Sequence, residues 1–338
     1  MISPILFKEQ GWSFLNELLE TERAVILHDS NTKVCLEHLH VSASATRSLP
    51  TIEIPAGEEN KKLNTCEKVW YELTELGADR KTILLNLGGG VVTDLGGFVA
   101  GTYMRGIRFV NIPTSMLGMA DASIGGKTGV DFGVLKNMIG TFAQPEAVVI
   151  DSTFLKTLPS RHYSNGLAEV IKHAFLTDSS IPDLMYANED ELISGSVNAK
   201  VNVVKADEFE AGERKKLNFG HTIGHAIESH FLNSGTLVLH GEAIGAGMIL
   251  EAHISMKSVG LSTEAYASVY GLIDSIFSRL LLTEEDWNSI KALLVHDKKN
   301  AAGALRFVLL SKLGEAVVDQ GVSEELLDEA FAAYAKKK

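Results

Sequence analysis

The sequence predicts two domains of different class: an N-terminal α/β domain built on a Rossmann-like open sheet, and a mostly α-helical C-terminal domain. Three observations predict this. Up to Ile150, short β-branched and apolar runs alternate with helix-like segments; a glycine-rich string directly follows one of those runs; and beyond Asp151 strand-like runs become scarce while long amphipathic stretches take over. A chain of 338 residues is too long for one average domain and suits two.

In chain order, residues 24–28, 51–54, 82–87, 109–112 and 147–150 read as strands. Most are nearly continuous apolar runs, as expected for strands covered on both faces of a sheet. Between Leu63 and Gly77 a helical pattern through Val69, Leu73 and Leu76 crosses from one strand to the next, the rhythm of an open α/β sheet. The later stretches 160–176, 189–206, 220–231, 241–258 and 263–281 read as helices, and 306–310 with 316–318 as a late hairpin. The boundary falls near 151–160, giving domains 1–155 and 156–338.

Composition narrows the function. The net charge of −12, with no block of basic residues, disfavours nucleic acid and anionic membrane surfaces as partners. An anionic substrate would need a local basic pocket set against that field. With 45% hydrophobic residues the chain buries a sizeable core, so disorder is expected only at the ends, including the final Ala-Lys-Lys-Lys. Two cysteines, Cys35 and Cys66, are too few for a disulfide framework and suit a reducing compartment. The polar-interrupted N-terminus is no signal peptide, and no apolar run reaches the length of a membrane span. A cytoplasmic location is expected.

The string Gly88-Gly89-Gly90-Val91-Val92-Thr93-Asp94-Leu95-Gly96-Gly97 follows the strand ending at Leu87. Glycines at such a turn let backbone amides approach a pyrophosphate, and the helix that follows offers the positive end of its dipole. Thr93 stands where the ordinary fingerprint has its third glycine, so a tight packing turn competes with a dinucleotide or phosphate site. Asp121-Ala-Ser-Ile-Gly-Gly-Lys127-Thr128 fails the spacing of a nucleotide-binding P-loop, because Asp121 takes the position of its first glycine and would repel a triphosphate. A glycine-hinged loop presenting Lys127 remains, followed by Lys136-Asn137 on another loop. Singly, these cations and the upstream Arg105 and Arg108 are solvated charges; clustered at strand-to-loop junctions they suit an anion pocket.

The sharpest feature is Leu217-Asn218-Phe219-Gly220-His221-Thr-Ile-Gly-His225-Ala-Ile-Glu-Ser, followed by Leu239-His240-Gly241-Glu242. Histidines four apart share a helix face and can bind a metal jointly, or pair one ligand with one proton donor. A lone histidine, such as His230, is more often structural. Upstream, Glu169, Lys172 and His173 share one helical turn. As a surface pair Glu169 and Lys172 would be worth only about 0.3–0.5 kcal/mol. As part of a site, one carboxylate with two imidazoles leaves an open coordination position, the arrangement of a catalytic zinc. Spacing leaves open which of His173, His221, His225 and His240 are ligands.

Taken together, GGGVVTDLGGFVAGTYMRG, PTSMLGMADASIGGKTGVD, KNMIGTF, GLAEVIKHA, LNFGHTIGHAIE, HGEAIGAGM and HDKKN resemble the 3-dehydroquinate synthase family of sugar phosphate cyclases, from about Asp29 to about Leu313. The resemblance implies a dehydroquinate synthase-like fold, with NAD bound by the first domain and metal and substrate by the second. It places zinc, or cobalt, on Glu169, His221 and His240. It places NAD contacts on Asp29, Asn31, Glu58, Lys61, Gly89, Gly90, Val91, Asp94, Thr114, Ser115 and Lys136, joined by Phe154, Leu155, Lys156 and Thr157. Substrate contacts fall on Arg105, Asp121, Lys127, Asn137, Lys172, Lys200, Glu210, Arg214, Asn218 and His225, with one of Lys298 and Lys299. A homodimer is implied, with Arg105 reaching the neighbouring site.

The implied substrate, 3-deoxy-D-arabino-heptulosonate 7-phosphate, carries a phosphate and a carboxylate, which these cations would neutralise. The implied reaction runs by transient oxidation of the C5 hydroxyl by NAD with zinc polarising that oxygen, β-elimination of phosphate, reduction, ring opening and aldol closure. His225 and Glu210 are the expected proton-handling groups, and the substrate's own phosphate the base for elimination. A metal-dependent polyol dehydrogenase would share the glycine turn, but it usually has aspartate as first ligand and lacks the cations. A sister cyclase such as 2-deoxy-scyllo-inosose synthase, or a non-catalytic binding module, fits the matched positions less well.

Overall fold

The computed structural model describes residues 2–133, 135–177, 188–300 and 305–336, with side chains as far as 294 in the third segment. The chain divides into two compact units, Met1–Tyr163 and Ser164–Lys338. No helix among the described residues is long and apolar enough to cross a membrane.

The first unit holds β1 (Ile5–Phe7), α1 (Glu9–Thr21), β2 (Ala24–Asp29), α2 (Cys35–Ser42), β3 (Thr51–Ile54), α3 (Leu63–Glu75), β4 (Ile83–Gly88), α4 (Gly90–Thr102), β5 (Arg108–Pro113), β6 (Lys127–Phe132), β7 (Leu135–Phe142) and β8 (Ala147–Ile150). Six strands form one sheet in the order β1-β8-β5-β4-β2-β3, every pairing parallel. The central β2 and β4 are buried at every position, which is why their sequences are nearly continuous apolar runs, broken only by the buried His28, Asp29 and Asn86. The edge strand β3 alternates exposed and buried residues, so Ile52 and Ile54 alone enter the core. From β2 the chain goes out to β3 on one side and returns to β4 on the other. The strand order therefore reverses at the β2–β4 boundary, where open parallel sheets bind ligands beyond the strand ends.

In the first unit, β1 and the β6–β7 hairpin depart from the sequence expectation. β1 joins the sheet edge beside β8 through only three residues, Ile5 to Phe7, too short to show a period. Lys127 and Lys136-Asn137 do not lie on loops: they belong to the antiparallel hairpin β6–β7. Most of β7 is exposed, so the apolar signal that marks the other strands is missing there.

The second unit is mainly helical. It comprises most of α5 (Ser160–Thr177), then α6 (Glu189–Ala206), α7 (His221–Ser234), α8 (His240–Ser258), α9 (Thr263–Ile276), α10 (Glu284–Asn300), the hairpin β9 (Phe307–Lys312) and β10 (Glu315–Gln320), and α11 (Glu324–Lys336). α9 stops at Ile276, short of the expected end at Leu281, because Phe277 turns extended and buries its ring. α6 opens on a capping box: Asn188 accepts from the Glu191 amide, and Glu191 accepts from the Asn188 amide.

At the centre runs α8, apolar on nearly all sides and packed by α7, α9, α11 and β9. It meets α7 along a seam of glycines. A Cβ placed on Gly247 would stand 2.1 Å from the Gly220 carbonyl oxygen and 2.7 Å from the Gly224 nitrogen. Gly220 itself, at φ 81°, turns the chain into α7 against Met248. The two helices therefore approach as closely as backbones can, and each begins with a histidine.

Gly247→Ala is expected to force that seam apart and destabilise the fold by about 1–3 kcal/mol. The measurement is the denaturant midpoint. A midpoint equal to wild type would show the contact to be looser than described.

Candidate metal centre and nucleotide turn

The metal centre grows from three helices of the second unit. Glu169 lies mid-helix in α5 and is 1% exposed. His221 is the first residue of α7 and His240 the first of α8. Both Nε2 atoms stand 3.4 Å from Glu169 Oε1. Each Nδ1 is held by its own acceptor: that of His221 by the Phe219 carbonyl at 3.2 Å, and that of His240 by Glu228 at 3.3 Å. An imidazole donating through Nδ1 has its lone pair on Nε2, so these partners select the tautomer that ligates through Nε2. The buried Glu169 oxygens make no hydrogen bond of good geometry, although two imidazoles and Lys172 surround them. One carboxylate and two imidazoles, each presenting a lone pair to a common point, fit a divalent cation with an open position.

Electrostatics favour the ligating forms of Glu169 and His221, whereas at His240 burial is outweighed by Glu169 and Glu228, which push the imidazole up to about 9, so a cation there would have to displace its proton. Burial alone would raise Glu169, but Lys172 and His221 outweigh it and hold the carboxyl well below its usual range. Burial and Lys172 push His221 down, keeping it neutral and able to ligate. The same geometry offers a rival trio in His225, Glu228 and His240. There Glu228 already takes the Nδ1 proton of His240, whereas the trio on Glu169 uses only Nε2 lone pairs. The Glu169 trio is the better site.

Other residues singled out in the sequence belong to the same unit. Lys172 pairs with Glu169, both deeply buried, so this is no surface salt bridge. His173 turns Nδ1 to the Ser196 hydroxyl, 2.6 Å away on α6. Lys200, also on α6, is buried. Arg214 is buried and donates to the Glu208 carbonyl at 2.6 Å. Asn218 donates to Glu210 at 3.0 Å, and Glu210 sits at a left-handed φ of 62°. His225 is exposed one turn beyond His221, its ring 5.0 Å from the His221 ring and 5.8 Å from that of His240. His230 is structural: its Nε2 lies 2.8 Å from Asp286 and links α7 to α10. The side chains of Lys298 and Lys299 lie outside the described residues.

In the first unit the nucleotide candidates gather beyond the C-terminal ends of the parallel strands. β4 ends at Gly88 and α4 starts at Gly90, so the glycine turn sits at a helix N-terminus of 13 residues. Side chains on Gly89 and Gly90 would crowd Ser115 and Ala122, at 3.2 Å and 3.3 Å, and Thr114 donates its amide to Gly88. Asp29 ends β2 and folds Asn31 and Thr32 around its carboxylate, while Thr32 reaches the Leu87 carbonyl at 3.2 Å. Residues 152–157 form a short turn after β8; Phe154 and Leu155 are buried core, so Lys156 and Thr157 are what it exposes.

Lys61, buried, donates to Asp94 at 2.6 Å and to Asn137 at 2.5 Å, and Lys136 pairs with Glu58 at 3.0 Å. Burial works against the Lys61 charge, yet Asp94 and Glu58 raise its pKa. Asn137, matched to substrate in the sequence, thus shares a cluster with residues matched to NAD. Asp121 is half-buried in a π-helical turn, and Lys127 is exposed at the start of β6. Arg105 is exposed on the turn after α4. Arg108 is not part of this group. It starts β5, paired in register with Ile83 at the opposite end of β4 from the glycine turn, and is bound to Glu22 and Glu146.

Supporting residues absent from the sequence reading are Glu228, Asn165 and Glu251. Asn165 accepts from the Gly241 amide at the start of α8. Glu251 is fully buried, and burial pushes its carboxyl up to about 8 against the pull of the Ile223 and Gly220 amides. Glu228 was within reach of spacing, seven residues after His221 on the same helix; the other two act across long sequence separations.

Glu228→Gln is expected to loosen the His240 tautomer and weaken zinc binding by about 10–100-fold, measured by competition with a chromophoric chelator. Unchanged affinity would remove Glu228 from the site.

Known proteins match along the chain. The profile of the 3-dehydroquinate synthase N-terminal domain matches residues 51–165, and that of the C-terminal domain matches residues 166–300. The 3-dehydroquinate synthase of Parabacteroides distasonis is 37% identical over 336 residues, covering 97% of this chain and 95% of that protein. Among solved structures, the 2-epi-5-epi-valiolone synthase ValA from Streptomyces hygroscopicus subsp. jinggangensis 5008, with NAD+ and Zn2+ bound, aligns at TM-score 0.88 and 25% identity, covering 99% of this chain and 97% of that one. A 2-deoxy-scyllo-inosose synthase complexed with carbaglucose-6-phosphate, NAD+ and Co2+ aligns at TM-score 0.85 and 26% identity, covering 97% and 96%.

Proposed function

The chain belongs to the 3-dehydroquinate synthase family, and from that premise we propose how its own residues carry the reaction. The chain is a lyase of the shikimate pathway of aromatic amino acid biosynthesis, converting 3-deoxy-D-arabino-heptulosonate 7-phosphate into 3-dehydroquinate and phosphate. The observation that carries the assignment of residues is the buried Glu169 carboxylate approached by the Nε2 atoms of His221 and His240, with both Nδ1 atoms engaged elsewhere. Those three residues would hold a zinc or cobalt ion. When bound, the metal supplies a Lewis acid and NAD a hydride acceptor that is restored within each turnover. The NAD+ with Zn2+ or Co2+ named for the two similar structures supports both cofactors.

The protein's part is to bind, orient and relay protons. Amides at Gly89, Gly90 and Val91 suit a pyrophosphate at the start of α4. Asp29, Glu58, Lys61, Asp94 and Lys136 complete a nucleotide cradle already ordered by its own hydrogen bonds. Lys172, Lys200, Arg214, Lys127 and a lysine of 298–299 neutralise the substrate's phosphate and carboxylate. Lys172 does double duty, since it also balances Glu169. Asn218 steadies Glu210, which with the exposed His225 handles protons during ring opening and closure. The departing phosphate takes the proton of its own elimination, so no dedicated side-chain base is required.

A homodimer with Arg105 reaching the neighbouring site belongs to the same proposal, supported by the exposure of that residue. So does a cytoplasmic location, supported by two buried thiols, Cys35 and Cys66, that form no disulfide.

Incubation with the heptulosonate phosphate, NAD and zinc is expected to release phosphate and a carbocycle with no net NADH. His221→Ala, or chelation, should abolish phosphate release while calorimetric NAD binding persists. Phosphate release by metal-free protein would refute the metal assignment. In a second test, inactive Arg105→Ala and His221→Ala chains are mixed after dissociation. Recovered activity is expected, because one site of a mixed dimer then has both groups intact; no recovery would place Arg105 at its own site.

A further inference from the structure

We propose that Glu251 is a positioning residue for the metal centre. Its carboxylate, inserted from the middle of α8, supplies the N-terminal cap that α7 lacks and so fixes where His221 presents its imidazole.

The first amides of a helix need acceptors, and a side chain at the preceding residue usually provides one. Here that residue is Gly220, which has no side chain to offer. Glu251 provides both acceptors from 31 residues away: Oε2 takes the Gly220 amide at 2.7 Å and Oε1 the Ile223 amide at 3.0 Å. The two bonds bracket His221. Glu251 is 0% exposed and set among Met248, Ile249, Leu250, Ala252 and Ile254, where an apolar side chain would bury at lower cost. Its interactions among the described residues are with backbone amides at the start of α7, so no salt bridge explains its presence.

A second constraint acts at the same point. Gly220 at φ 81° packs on Met248, one turn before Glu251 on α8. The first residue of α7 is therefore tied to α8 by close contact on one side and two hydrogen bonds on the other. Since His240 starts α8, Glu251 links the helix of one histidine ligand to the helix of the other.

The proposal rests on reading Glu169, His221 and His240 as the metal ligands. The test compares Glu251→Gln with Ser255→Ala in the full-length chain. Ser255 is equally buried one turn along α8, but its hydroxyl accepts from the Leu310 amide of β9 and donates to the Glu251 backbone carbonyl within its own helix, leaving the Glu251 carboxylate and the start of α7 untouched. Each chain is loaded with cobalt, and both the visible ligand-field spectrum and the affinity against a competing chelator are recorded. Glutamine keeps the size of glutamate but turns an amino group toward a backbone N–H. Glu251→Gln is expected to shift the cobalt spectrum and weaken affinity about 10–100-fold, while Ser255→Ala lowers the unfolding midpoint and leaves both readouts at wild type. Glu251→Asp, with both acceptor oxygens on a shorter stem, should fall between. If Glu251→Gln does not fold, the aspartate variant decides: affinity and spectrum equal to those of Ser255→Ala overturn the proposal, as they would for the glutamine variant. A wild-type chain that binds no cobalt would instead overturn the ligand reading itself.

Discussion

A carboxylate sealed from water is the constraint on which the second unit depends. Glu169 is 1% exposed and stays ionised, which no buried carboxylate does without positive charge around it. Lys172, one turn along the same helix, supplies part of that charge, and the two imidazole nitrogens of His221 and His240 complete the ring of partners. The glycine seam brings α7 and α8 close together, and the acceptors on both Nδ1 atoms leave the two Nε2 atoms facing Glu169.

The first unit solves a different problem with the same economy of backbone. Its six parallel strands deliver their C-terminal ends to one edge, and reversal of strand order at β2–β4 leaves room there for a ligand. The side chains that would touch a nucleotide are ordered in advance. Asp29 organises its own turn, and Lys61 is held by Asp94 and Asn137. Groups already paired lose little conformational freedom when a ligand arrives.

Much of this could be read from the sequence, and the reasons differ from part to part. The five strands of the sheet that were expected are legible because two-sided burial demands nearly continuous apolar runs, as in residues 83–87, where Asn86 alone is polar and bonds to Asn111. The β6–β7 hairpin was not, because Lys136, Met138 and Gly140 alternate with partly exposed neighbours and leave no apolar period. Glu169, His221 and His240 stood out through residue type and helical spacing, yet spacing alone could not separate His225 from His240. That distinction depends on which Nε2 faces Glu169, a consequence of how three helices pack. Arg108 misled because sequence proximity to Arg105 does not reveal that the chain passes from a turn into β5 between them, leaving Arg105 on the turn and Arg108 paired with Glu22 and Glu146 at the strand's start. Asn165 and Glu251 were invisible for a related reason: each serves a backbone amide far along the chain, 76 residues away for one and 31 for the other.

The turn after α4 holds one more implication. Met104, Arg105 and Gly106 lie at φ 51°, 69° and 118°, three successive residues in a region that ordinary side chains avoid. Left-handed backbone at two non-glycine residues in succession is uncommon and persists where the surroundings favour it. Arg105 is therefore presented at the surface from a tightly specified turn. Whatever anion it meets is approached from a turn whose backbone shape is already set, so the reach of that encounter is decided by the flexible side chain alone.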